Sequence, residues 1–139
     1  MLLGAGLSMP QVLTAADFGA FTRKIKASDQ LNYGVIGCNG MGWSNMNAHL
    51  KMPHVNCVAL ADVDQSVLDR RTEDVFKIRG TRPKQYTDYR KMLEDPNIDI
   101  VIIGTPDHWH CLNMVDAVSA GKNVYVEKPI ANTIEECQI

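Results

Sequence analysis

Beyond residue 30 the chain alternates short apolar runs with stretches whose apolar positions recur at helical spacing. Tyr33 to Gly37 (YGVIG) is a compact run that ends among glycines, and Trp43 to Lys51 continues as a helical pattern through Met46 and Leu50. Val55 to Ala61 (VNCVALA) predicts a second strand ending at Asp62. Val67, Leu68, Val75 and Ile78 then mark the apolar face of a helix. Gln85 to Thr87 predicts a short third strand, and Asp88 to Glu94 a short helix closed by Asp95-Pro96. Ile98 to Gly104 (IDIVIIG) is the strongest strand, a nearly continuous β-branched run suited to a strand covered on both faces. His110 to Ala120 reads as a helix stopped by Gly121, and Asn123 to Val126 as a strand leading into Glu127-Lys128-Pro129. This alternation predicts an α/β fold, a parallel sheet with helices on both faces.

The two ends read differently. Phe18 to Asn32 is mixed and polar without apolar periodicity, so residues 1–30 form an expected N-terminal arm and 31–139 the expected folded domain. Within the arm, Met1 to Asp17 has the apolar stretch and small residues of an export signal without its basic start; a loosely packed arm is the alternative. At the other end, Thr133 and Glu136 have capping-box spacing three residues before Ile139. A helix that short is marginal alone, so a longer polypeptide is expected.

Composition narrows the classes. With 139 residues, 45% of them hydrophobic and 22% charged, the chain suits one globular domain. A net charge of -2 leaves no basic surplus for nucleic acid or an anionic membrane surface. No apolar run approaches the roughly 18 residues of a membrane span. Cys38, Cys57, Cys111 and Cys137 lie far apart beside apolar runs and read as free, buried thiols.

Candidate chemistry starts at Gly37-Cys38-Asn39-Gly40-Met41-Gly42, where a first strand must turn into a first helix. That is the place of a dinucleotide fingerprint: the first glycine permits the turn, the last lets the helix pack closely, and the helix N-terminus offers free N–H groups to a pyrophosphate. Asn39 stands where the second glycine of G-x-G-x-x-G belongs, with Gly40 after it. Asparagine tolerates the left-handed backbone such a turn can demand, although its side chain could displace the pyrophosphate. Asp62, at the end of the second strand, has the spacing from which an acid accepts bonds from the adenosine ribose, which favours NAD over NADP. Its competing role is the N-cap of the following helix, for which Asp64 and Ser66 are equal candidates.

Two further stretches, Gly104-Thr105-Pro106-Asp107-His108-Trp109-His110 and Glu127-Lys128-Pro129, fall at the carboxyl edge of the sheet, where open α/β folds bind ligands. Asp107, His108 and His110 alone lack the further cluster a metal would need, so no metal is expected. Trp109 is equally placed to pack on the next helix or to touch a ligand.

In order, VIGCNGMG, ALAD, TPDHWH and AGKNVYVEKP resemble the N-terminal domain of the Gfo/Idh/MocA family of NAD(P)-dependent oxidoreductases, which act largely on sugars, cyclitols and related polyols. The resemblance runs from about Leu31 to the end. It implies a Rossmann-type doubly wound parallel sheet, with the C-terminal substrate domain absent from these residues. It also implies that Thr105, Pro106, His108 and His110 belong to the cofactor cleft, with Gly37, Asn39, Gly40, Met41, Gly42, Asp62, Glu127, Lys128 and Pro129. Lys128 takes the catalytic place, near the nicotinamide and the substrate hydroxyl. A buried lysine of lowered pKa could stabilise or relay the proton that leaves a carbinol oxygen as its carbon loses hydride. Pro129 is a candidate for a cis peptide bond that would aim Lys128. Asp107 departs from the asparagine common in the family. The resemblance further implies a carbohydrate-like substrate held through the missing domain, a homo-oligomer at full length, and a periplasmic site, with the cytoplasm as alternative. Some relatives hydrolyse glycosides through transient NAD-mediated oxidation. A non-catalytic nucleotide-binding module would need neither Lys128 nor His110.

Overall fold

The computed structural model describes residues 30–139. The expected arm and its export-signal reading lie outside the described residues. Five strands, β1 (Leu31–Ile36), β2 (Val55–Ala61), β3 (Lys84–Tyr86), β4 (Ile100–Ile103) and β5 (Asn123–Val126), form one sheet in the order β3-β2-β1-β4-β5. Every pairing is parallel. The helices are α1 (Gly40–His49), α2 (Gln65–Arg79), α3 (Tyr89–Leu93) and α4 (His110–Ser119), with 3-10 turns at Asp107–Trp109 and Glu136–Gln138.

Side chains alternate across each strand, so the central strands feed two cores. On one face Val35, Leu60 and Ile102 pack with Met46 and Leu50 at the end of α1 and with Leu68 and Val75 of α2. On the other, Ile36, Ala59, Val101 and Ile103 pack with Met92 and Leu93 of α3 and Ala117 of α4. Each large aliphatic side chain so buried contributes about 1.5–3 kcal/mol relative to exposure. The predicted doubly wound α/β sheet is the one observed.

The departures are local. Helix α1 begins at Gly40, not Trp43, so Gly40 and Gly42 belong to its first turn. Ile78 is exposed on α2, and buried Thr72 completes the inward face instead. The β4 strand runs only from Ile100 to Ile103, and Ile98 is buried ahead of it. Thr133 does accept a bond from the Glu136 amide, at 3.1 Å, but only a 3-10 turn follows. Cys38, Cys57 and Cys111 are buried free thiols, whereas Cys137 is exposed. Among the described residues no helix is long and apolar enough to cross a membrane.

Because β1 lies between β2 and β4, the chain leaves its carboxyl end on one side and returns to β4 on the other. A crevice opens outside the strand ends at that reversal.

Candidate cofactor cleft

Three glycines bring backbone against backbone at the crevice. Gly37 turns the chain with φ +79°, a conformation that side chains disfavour. A Cβ on Gly42 would lie 1.8 Å from the Gly37 carbonyl oxygen, and one on Gly104 would lie 2.4 Å from the Gly42 Cα. These contacts seat the start of α1 directly on the ends of β1 and β4. Gly40 differs, because a Cβ there would meet nothing within 4 Å. Helix α1 has neither a side-chain cap nor an acid in its first turn. Its leading N–H groups and the positive end of its dipole therefore remain available to an anion. Open space at Gly40 beside uncapped amides fits a pyrophosphate.

Asn39 corrects the expectation of a left-handed residue. Its backbone is extended, φ -109° and ψ 179°, and the positive angles fall on Gly37 and Gly40. Its side-chain oxygen is turned toward α2, accepting from Arg71 Nη2 at 3.1 Å. Asp64 caps α2, accepting from the Ser66 amide at 2.8 Å, so the cap does not fall to Asp62. Asp62 Oδ2 instead accepts from the Cys38 N–H at 2.8 Å and Oδ1 from the Asp64 N–H at 3.1 Å. The acid thus braces the phosphate turn while facing the cleft. Burial, then the charge of Asp62, pushes the Cys38 thiol above its usual range, so it stays a protonated packing group.

The cleft has a volume of about 590 Å³. Gly37, Asn39, Gly40 and Met41 line it from the turn, Asp62 from β2, and Thr105 and Pro106 from the loop after β4. The remaining candidates stand elsewhere. Gly42 lies beneath the turn against Gly37 and Gly104, and His108 is exposed on the 3-10 turn. His110, 1% exposed, sits behind the wall rather than on it. Its Nδ1 lies 2.8 Å from the Pro129 carbonyl oxygen and its Nε2 2.8 Å from that of Thr105, joining two loops of the sheet edge. With both nitrogens turned to carbonyls, His110 is arranged as a tie and not as a metal ligand.

Glu127, Lys128 and Pro129 follow β5, outside the residues that line the cleft. Glu127 accepts from Asn45 of α1 at 2.7 Å, and the Lys128-Pro129 bond is cis. Lys128 is exposed and forms no ion pair or hydrogen bond among the described residues. Burial of this lysine, expected from the sequence, is not supplied by these residues.

Val63, Thr87, Tyr89, Trp109 and Asn113 also line the cleft, although no sequence motif marks them as ligand contacts. Asn113, one helical turn beyond His110 and buried, accepts from the Thr105 hydroxyl at 3.1 Å. Tyr89 donates to Asp116 at 2.6 Å, and burial followed by that bond holds its hydroxyl above the ordinary tyrosine range. Thr87 and Tyr89 follow β3 directly, so its carboxyl end was the available signal.

A doubly wound parallel sheet with a glycine turn, uncapped helix start and acid at the second strand defines a dinucleotide-binding Rossmann domain. The profile of the Gfo/Idh/MocA family, described as an oxidoreductase family with an NAD-binding Rossmann fold, matches residues 31–139, and the chain belongs to that family. It is 38% identical over 108 residues to an alpha-N-acetylgalactosaminidase of Shewanella oneidensis, covering 75% of this chain and 24% of that protein. Among solved structures it is similar to scyllo-inositol dehydrogenase from Lactobacillus casei with bound NAD(H) and scyllo-inositol, at TM-score 0.72 and 25% identity, covering 79% of this chain and 31% of that one. An NAD binding oxidoreductase from Klebsiella pneumoniae is 32% identical at TM-score 0.66, covering 78% of this chain and 30% of that chain. The chain thus spans about a quarter of the length of the curated relatives it matches. It is the NAD-binding domain of this family.

Proposed function

We propose that this domain serves hydride transfer between NAD and a carbinol carbon of a sugar, cyclitol or related polyol, with the substrate held by a further region of the protein. The observation that carries the reading is the exposed side chain of Lys128 at the carboxyl edge of the sheet, on a turn tied to α1 through Asn45 and to α4 through His110. The residues around Gly40 and Asp62 fit the dinucleotide, which when bound supplies the hydride acceptor. The chain's own work is to bind, orient and manage a proton. The start of α1 holds the phosphates, Asp62 receives the ribose hydroxyls, and Thr105 and Pro106 wall the cleft. A substrate region closing over Lys128 would bury it and favour its neutral amine, and that amine takes up the proton lost from the substrate oxygen. In a protein that joins this domain to its substrate region, Lys128→Met should lower kcat by about a hundredfold or more. Its NAD affinity should stay near the parent's. Unchanged turnover would refute the role.

A second reading is favoured by the identity to the alpha-N-acetylgalactosaminidase: the same hydride step, reversed within one cycle, would assist glycoside cleavage. Net NADH accumulation with inositols or free sugars supports the dehydrogenase; glycoside release without net NADH supports the hydrolase. We further infer a periplasmic location from Met1 to Asp17, which a signal-sequence fusion tests, and a homo-oligomer at full length, which light scattering tests.

A further inference from the structure

We propose that Arg71 is a positioning residue for the cofactor, an arginine clamp that lets Asn39 stand where the fingerprint calls for glycine. The proposal rests on dinucleotide binding alone and is independent of the role assigned to Lys128. The side chain of Arg71 is 13% exposed and engaged on every side. Its Nε donates to the Cys38 carbonyl at 3.2 Å and its Nη2 to the Asn39 side-chain oxygen at 3.1 Å. Nη1 pairs with Asp74 at 3.0 Å, and the guanidinium lies 4.1 Å from the centroid of the Trp43 ring on α1. Asp74 and Trp43 fix the guanidinium plane, leaving its remaining donors aimed at the turn.

The Cys38-Asn39 segment is then gripped from both directions. Asp62 takes the Cys38 N–H, and Arg71 takes the Cys38 C=O. Asn39 lines the cleft, and an unrestrained amide there would be free to enter the pyrophosphate's space. Its oxygen is drawn outward by Arg71, with Arg70 Nη2 a further 3.4 Å contact. A glycine would have no side chain to restrain, so the need for the clamp follows from this one departure.

The test is a double-mutant cycle on the 139-residue chain, reading NAD affinity by calorimetric titration and amide exchange at residues 37–40 without NAD. Arg71→Met should weaken NAD binding roughly tenfold in the parent, but only about threefold or less in the Asn39→Gly background. It should also speed exchange at the Gly37 and Cys38 amides, which are bonded to the Ala61 carbonyl and to Asp62, an effect that does not depend on cofactor. Arg71→Lys, which keeps the charge but not the fork, should behave like Arg71→Met. Equal losses in both backgrounds, unchanged exchange, or full rescue by lysine would overturn the proposal. Thermal unfolding of each variant separates a loosened turn from a lost fold.

Discussion

Replacing Gly42 with alanine isolates the backbone contact on which the cleft is built. The added methyl would sit 1.8 Å from the Gly37 carbonyl oxygen, where real contacts stay beyond 3.0 Å, so α1 would have to retreat from β1. Both partners are backbone, and Gly104 closes the same space from β4, so no side-chain rotation relieves the clash. Overpacking costs about 1–3 kcal/mol where side chains can yield, which puts a backbone clash at about 3 kcal/mol or above. For a folded unit of this size that lowers Tm by on the order of 10–20 °C. Gly40→Ala is the control. Open space surrounds that Cβ, and only the φ of +47° is unfavourable, at a cost of about 1–2 kcal/mol. Its methyl borders the cleft, so it should weaken NAD binding more than it lowers Tm. Far-UV circular dichroism melts with NAD titration of both variants decide the matter. A Gly42→Ala midpoint within about 3 °C of the parent, or a lower midpoint for Gly40→Ala, would mean that α1 is not held by this backbone contact.

His110→Leu removes the ring N–H that lies between the Thr105 and Pro129 carbonyls, and leaving a part-buried acceptor without its donor should destabilise the domain by about 1–3 kcal/mol. A denaturant midpoint equal to the parent's would contradict the tie. Asp64, Asp88 and Asp95 are held below the ordinary aspartate range: Asp64 by the Ser66 hydroxyl and amide, Asp88 by Arg90, and Asp95 by the Asn97 amide and then Lys84. Their folded pKa values lie below the unfolded ones, so their contribution is present above the unfolded pKa and is lost as pH falls through the folded values. Tm should hold above about pH 5 and fall below about pH 4; a Tm that rises on acidification would contradict this.

Much of the fold was legible because the pattern is strong where strands are buried on both sides. The predicted β2 and β5 ranges coincide with the observed strands, and β4 announces itself by its β-branched run. Helix starts were less legible. Apolar spacing first shows at Trp43, but the cofactor-facing turn begins at Gly40, whose role is to carry no side chain. The cleft lining was readable where a motif encodes it, as at Gly37, Asp62 and Thr105. Tyr89 and Asn113 enter through tertiary packing, which periodicity does not report. His110 illustrates the limit: its position in a motif suggested contact with the ligand, while burial and two carbonyl partners give it the work of joining loops. Arg71 lay on a polar helix face with nothing in its spacing to link it to Asn39, 32 residues earlier.

The most direct test of the dinucleotide cleft is calorimetric titration of the 139-residue chain with NAD and with NADP, beside the Asp62→Ala variant. NAD should bind more tightly than NADP to the parent. In the variant, NAD affinity should fall roughly tenfold or more, because a ribose acceptor and the brace on the Cys38 amide are lost together. Equal affinity for the two nucleotides, or an Asp62→Ala variant that binds NAD as the parent does, would contradict the role given to Asp62.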